Sequence, residues 1–183
     1  MMRVITGLAR GRRLQTLPGD DVTRPTTESV KEALFSMIQF DIEGKRVLDL
    51  FAGSGQLGIE ALSRGAVSCT FVENNREAMK VVEANVNHCG FSDRSSIVLS
   101  DALSFLRRNT GYDIVLLDPP YGKGLIQAAL PTIAQNISPD GLIICETARQ
   151  EELPETVGDF VIDRVRNHGK SKITLYLRGK DAV

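Results

Sequence analysis

Residues 46–58 read Arg46-Val-Leu-Asp49-Leu-Phe51-Ala-Gly53-Ser-Gly55-Gln-Leu-Gly58. The first six form a short, nearly continuous apolar run, which is how a strand buried on both faces reads. Three glycines follow at the GxGxxG spacing (Gly53, Gly55, Gly58), and a helical pattern runs from Leu57 to Arg64. Strand, glycine turn and helix in that order open a doubly wound α/β sheet. The glycines there let the backbone approach a ligand at the carboxyl ends of the strands.

Downstream the rhythm repeats. Apolar strands are expected at 68–73, 95–100, 112–118 and 141–146, with helices at 76–87, 102–107 and 125–135 between them. Five buried strands with intervening helices imply a parallel sheet covered on both faces. The last apolar segments, 159–165 and 171–177, are separated only by Arg166 to Lys170 and predict an antiparallel hairpin. The expected fold class is therefore α/β, a Rossmann-like, seven-stranded, mostly parallel sheet closed by an antiparallel C-terminal hairpin. Upstream, residues 1–22 read as a small β-hairpin turning at Gly7 and Gly11. Residues 23–45 read as a leading helix opened by Pro25-Thr26-Thr27, with Ser29 and Glu32 at the spacing of a capping box. A chain of 183 residues organised this way is one domain, with 46–183 forming the main sheet.

The composition, 42% hydrophobic and 25% charged, excludes a disordered chain. No apolar run approaches the roughly 20 residues of a membrane span, and the N-terminus lacks the apolar stretch of a secretory signal. A monomeric cytoplasmic protein without membrane contact is expected. Cys69, Cys89 and Cys145 lack CxxC spacing and read as buried free thiols, while His88 and His168 stand alone, so no metal site is expected.

The net charge is −1, but it is unevenly spread. Residues 1–19 carry Arg3, Arg10, Arg12 and Arg13 without an acid, and residues 164–180 carry Arg164, Arg166, Lys170, Lys172, Arg178 and Lys180, also without one. Placed on one side of the fold, these segments would make a local positive field able to hold phosphates. Placed apart, they are two solvated surface strands.

The glycine loop alone admits a dinucleotide, with Glu73 at the end of the second strand to bind a ribose hydroxyl, or simply a tight turn. Two residues favour a different ligand. Asp49, immediately before the glycines, would repel a pyrophosphate but suits a cationic amino-acid moiety. Asp101, after the third strand, can accept a hydrogen bond from an adenine amino group while capping the next helix. Acids on three successive strand ends suit S-adenosylmethionine, which carries an ammonium and a sulfonium and no phosphate.

The fourth strand ends in Asp118-Pro119-Pro120-Tyr121. Two prolines stop the strand and stiffen the loop. The amino nitrogen of a nucleic-acid base is a weak nucleophile because its lone pair is delocalised into the ring. Acceptors on its N–H groups, here the Asp118 carboxylate and the Pro119 carbonyl, favour a tetrahedral nitrogen, and the Tyr121 ring offers a stacking platform.

The combination of Asp49-x-Phe51-x-Gly53-x-Gly55 with Asp118-Pro-Pro-Tyr121 resembles the amino-methyltransferases that use S-adenosylmethionine. Arg10-Gly-Arg12-Arg13-Leu14, Arg24-Pro-Thr-Thr27, Glu32-Ala-Leu-Phe35, Glu60-Ala-Leu-Ser-Arg-Gly-Ala66, Phe71-Val-Glu73 and Gly169-Lys170 extend the match over nearly the whole chain. It is similar to the bacterial small-subunit ribosomal RNA guanine-N2 methyltransferases of RsmD type. Ser36, Gln56 and the Asn74-Asn75 pair depart from the commoner family choices. The resemblance implies a guanine of 16S ribosomal RNA as target, presented in the assembled or partly assembled small subunit. It implies Asp118, Pro119, Pro120 and Tyr121 as the catalytic loop. It implies Asp49, Phe51, Ala52, Gly53, Ser54, Gly55, Glu73, Asn74, Asp101, Ala102 and Asp118 around the cofactor. Arg10, Arg12, Arg13, Arg24, Lys170 and Lys172 are the nominees for RNA phosphates. The expected reaction is direct in-line transfer to guanine N2 of an extruded base, without metal or covalent enzyme intermediate. The competing readings are a DNA or RNA adenine-N6 methyltransferase and a non-catalytic nucleic-acid-binding protein of the same fold.

Overall fold

The structure is a computed structural model that describes residues 2–17 and 28–179. The N-terminal segment pairs β1 (Met2–Arg3) with β2 (Arg13–Leu14) antiparallel, and α1 (Glu28–Met37) follows. The α1 helix already includes Ser29, so the expected cap lies inside the first turn. Arg24 and the Pro25-Thr26-Thr27 start lie outside the described residues.

The sheet-forming region runs β3 (Arg46–Asp49), α2 (Gln56–Ser63), β4 (Ser68–Glu73), α3 (Arg76–Cys89), β5 (Ser95–Leu99), α4 (Ala102–Leu106), β6 (Ile114–Leu117), α5 (Leu125–Asn136) and β7 (Leu142–Ala148). It ends with β8 (Thr156–Val157), β9 (Phe160–His168) and β10 (Ser171–Arg178). The strand order is β5-β4-β3-β6-β7-β10-β9-β8, with β3 to β7 mutually parallel and the last three antiparallel. Among the described residues the sheet thus has eight strands against the seven expected. The eighth is only Thr156 and Val157, paired to Val161 and Phe160 around a tight turn, too short for an alternating pattern to announce. The later strand of the C-terminal hairpin, β10, is the one inserted beside β7, which leaves β9 outside it.

Helices cover both faces, as continuously apolar strands require. One core joins α1, α2 and α3 to the sheet through Leu34, Phe35, Ile59, Leu62, Val82 and Val86, and the hairpin adds Val4, Ala9 and Leu14 to it. The opposite core, under α4 and α5, contains Phe105, Leu130, Ile133, Phe160 and Tyr176.

The hairpin is held by buried polar groups as well. Glu60 on α2 accepts the backbone N–H groups of Ile5 (2.8 Å) and Thr6 (3.1 Å) and pairs with Arg64 (2.9 Å) and Lys31 (3.5 Å). Lys31 donates onward to the Arg3 carbonyl at 2.7 Å. Burial pulls the Lys31 ammonium below the usual lysine pKa even with Glu60 beside it. All four backbone and side-chain partners of Glu60 are donors, the condition under which a buried carboxylate is tolerated.

Candidate active site

The carboxyl ends of the parallel strands form one rim. Asp49 closes β3, Glu73 closes β4, Asp101 follows β5 and Asp118 follows β6. Asp49 is 1% exposed, and its Oδ2 accepts the Gly58 N–H at 2.9 Å while Oδ1 is buried without a hydrogen-bond partner among the described residues. Burial pushes its pKa up to about 7, with the Gly58 N–H acting the other way and the charges of Asp118 and Glu73 adding to the rise. A half-satisfied carboxylate within electrostatic reach of two more acids is a place for a cation. Nearby in sequence, Gln56 Oε1 is also buried without a hydrogen-bond partner among the described residues.

Two glycines explain how the loop holds this geometry. Gly55 caps α2 at φ 78°, a left-handed conformation costly for other residues. A Cβ on Gly58 would fall 2.3 Å from the Phe71 ring and 2.6 Å from Cys69 Sγ, so α2 lies this close to β4 only because that side chain is absent.

Glu73 braces the loop. Its Oε1 accepts the Asn74 and Asn75 N–H groups and its Oε2 the Gly53 N–H, each at 2.9 Å. Oε2 makes one of these bonds and retains a lone pair for a further hydroxyl. Asp101 is the N-cap of α4, accepting the Ser104 N–H at 2.9 Å, and that bond holds its carboxyl below the usual range. Asn85, 1% exposed on α3, donates to the Ser54 carbonyl (2.8 Å) and the Gln15 carbonyl (3.0 Å) and accepts the Gln15 N–H (2.8 Å). It ties the chain leaving the hairpin to the glycine loop.

In the tetrad Pro119 is buried, Pro120 exposed, and Asp118 and Tyr121 half-buried. The Tyr121 hydroxyl donates to Glu146 Oε1 at 2.9 Å and lies 2.8 Å from Ser171 Oγ.

Residues 2–177 match the family described as Conserved hypothetical protein 95. The ribosomal RNA small subunit methyltransferase D of Escherichia coli K12 is 34% identical over 180 residues, 97% of this chain and 90% of that protein. The chain belongs to the methyltransferase D family. The Bacillus subtilis protein YlbH shares 42% identity over 181 residues, 96% of this chain and 98% of its own. Among solved structures, Escherichia coli yhhF aligns with a TM-score of 0.83 at 33% identity, covering 97% of each chain.

This methyltransferase D family member distributes its cations unequally. Arg10, Arg12 and Arg13 are exposed on the hairpin, and the Arg12 guanidinium donates to the His88 carbonyl at the C-terminal end of α3, remote from the rim where that helix begins. Lys170 is exposed in the turn between β9 and β10. The Lys172 side chain is only 11% exposed and its ammonium stands 3.6 Å from Glu152. Arg164 and Arg166 reach the end of α1 at the Met37 carbonyl and Ser36 Oγ. Cys69, Cys89 and Cys145 are free and buried. Among the described residues, no His, Cys, Asp and Glu cluster is arranged to hold a metal ion, and no helix is long and apolar enough to cross a membrane.

Sequence reasoning missed Glu146, Ser171 and Asn85. A glutamate inside the otherwise apolar run 141–146 and an asparagine on the buried stripe of α3 were the available signals. Polar residues at such positions are retained with partners.

Proposed function

We propose that this family member methylates the exocyclic N2 of a guanine in the 16S RNA of the small ribosomal subunit, with S-adenosylmethionine as donor. The observation that carries the reading is the buried, unpaired oxygen of Asp49 among the acids of the rim. A donor with a cationic amino-acid end fits that setting, and a pyrophosphate does not. The cofactor supplies a methyl group made electrophilic by its sulfonium. Asp49 receives the ammonium, with Phe51, Ala52, Gly53, Ser54 and Gly55 shaping the backbone around it. The remaining lone pair of Glu73 Oε2 accepts a ribose hydroxyl beside Asn74, and Asp101 with Ala102 borders the adenine.

Asp118 and the Pro119 carbonyl accept the two N–H groups of the target amine, which raises the nucleophilicity of its lone pair. Pro119 and Pro120 keep those acceptors in place, and Tyr121 holds the base by its ring. Asp118 is also the group next to the nitrogen that must lose a proton. Arg10, Arg13, Arg24 and Lys170 supply phosphate contacts around an extruded base, while Arg12, engaged at the far end of α3, and Lys172, covered beside Glu152, contribute least. The names of the relatives support a small-subunit RNA substrate. Offering the protein labelled donor with either genomic DNA or small subunits from cells lacking it tests the reading. Label in the subunit RNA alone is expected, and label in DNA would favour the adenine-N6 alternative.

A further inference from the structure

In the antiparallel pair of β7 and β10, Ser171 lies opposite Ala148 and Glu146 opposite Ile173. Glu146 and Ser171 are therefore diagonal neighbours on one face of the sheet. Both are buried, and Ser171 Oγ lies 3.0 Å from Glu146 Oε1. The Tyr121 hydroxyl completes a closed triangle with these two atoms, at 2.9 Å and 2.8 Å.

The chain around Tyr121 needs such an anchor. Two prolines stiffen the side before it, but Gly122 and Gly124 follow, both exposed and both at positive φ. The prolines alone leave the side-chain torsions of the tyrosine free. The hydroxyl is engaged inside the fold, so its anchors fix where the ring sits.

We propose that Glu146 and Ser171 are positioning residues that capture the Tyr121 phenol and thereby set the depth and tilt of the ring on which the target base is held. This rests on the reading of the tetrad as the methyl-acceptor site. Strands β7 and β10 act on the base only through Tyr121. Loss of either anchor slows transfer within the bound complex and leaves the cofactor site, on β3 to β5, untouched.

The test uses the full-length protein, tritiated S-adenosylmethionine and small subunits from cells lacking the enzyme. Glu146→Gln, Ser171→Ala and Tyr121→Phe are compared alone and in pairs, in single turnover at saturating subunits, with cofactor affinity measured by calorimetry. Each single variant is expected to lower the transfer rate by about tenfold or more with cofactor affinity unchanged, and Glu146→Ala to lower it further than Glu146→Gln. In the Tyr121→Phe background neither Glu146→Gln nor Ser171→Ala should slow transfer again. Wild-type rates in both anchor variants, or losses that multiply fully in the pairs, overturn the proposal while transfer by the unaltered protein stands. Ser171→Ala carries the test if the glutamate variants fail to fold. Absence of transfer by the unaltered protein overturns the methyl-acceptor reading, and this proposal with it.

Discussion

Asp49 accepts the Gly58 N–H on one carboxylate oxygen at 2.9 Å and keeps the other buried without a hydrogen-bond partner among the described residues. Burial, against the opposing pull of the Gly58 N–H, makes the folded protein hold the Asp49 proton up to about pH 7, well above the ordinary aspartate value of 3.8. Between those values the native state binds more protons than the unfolded chain, so stability falls as pH rises through that window. The loss is on the order of a few kcal/mol, and urea titrations below and above about pH 7 measure it. Asp49→Asn, which can still accept the Gly58 N–H, should flatten the profile. A cationic cofactor selects the ionised form, so its affinity should weaken by up to about tenfold per pH unit below about pH 7, and Asp49→Asn should abolish that dependence.

Gly58→Ala tests whether the close approach of α2 to β4 positions this carboxylate. The added methyl group collides with Phe71 and Cys69. A destabilisation of about 1 to 3 kcal/mol is expected. Calorimetry should also show weaker cofactor binding, because the Gly58 N–H moves with the helix.

Asp118→Ala should lower turnover by roughly two to four powers of ten, the scale of a positioned polar group, with cofactor affinity nearly intact. Full activity in that variant would remove the proposed role.

Among the nominated cations, Arg10, Arg13 and Lys170 are exposed, whereas Lys172 is largely covered and paired to Glu152. Arg13→Glu and Lys170→Glu should weaken RNA binding and flatten its dependence on salt, by about one unit of logarithmic slope for each phosphate no longer neutralised. Lys172→Gln should change the slope least. An unchanged slope for Arg13→Glu and Lys170→Glu would return them to the solvated surface.

The alternation of strands and helices from Arg46 to Ala148 was legible because each element carries its own period and its own glycine or proline boundary. The acids at the strand tips were legible for the same reason, since each ends an apolar run. The two-residue strand Thr156–Val157 carries no period. The triangle around Tyr121 joins residues 25 and 50 positions apart, and the Asn85 tie to Gln15 spans 70. Such partners depend on strand order and register, which local patterns do not encode. The charge pattern misled in one respect, since two basic segments that read alike differ in exposure once Lys172 turns inward beside Glu152.

The most direct measurement is nucleoside analysis of RNA from protein-deficient small subunits after incubation with the purified protein and isotopically labelled S-adenosylmethionine. Label is expected in N2-methylguanosine from a single site of the 16S RNA. Label in N6-methyladenosine, or no label in the RNA at all, would contradict it.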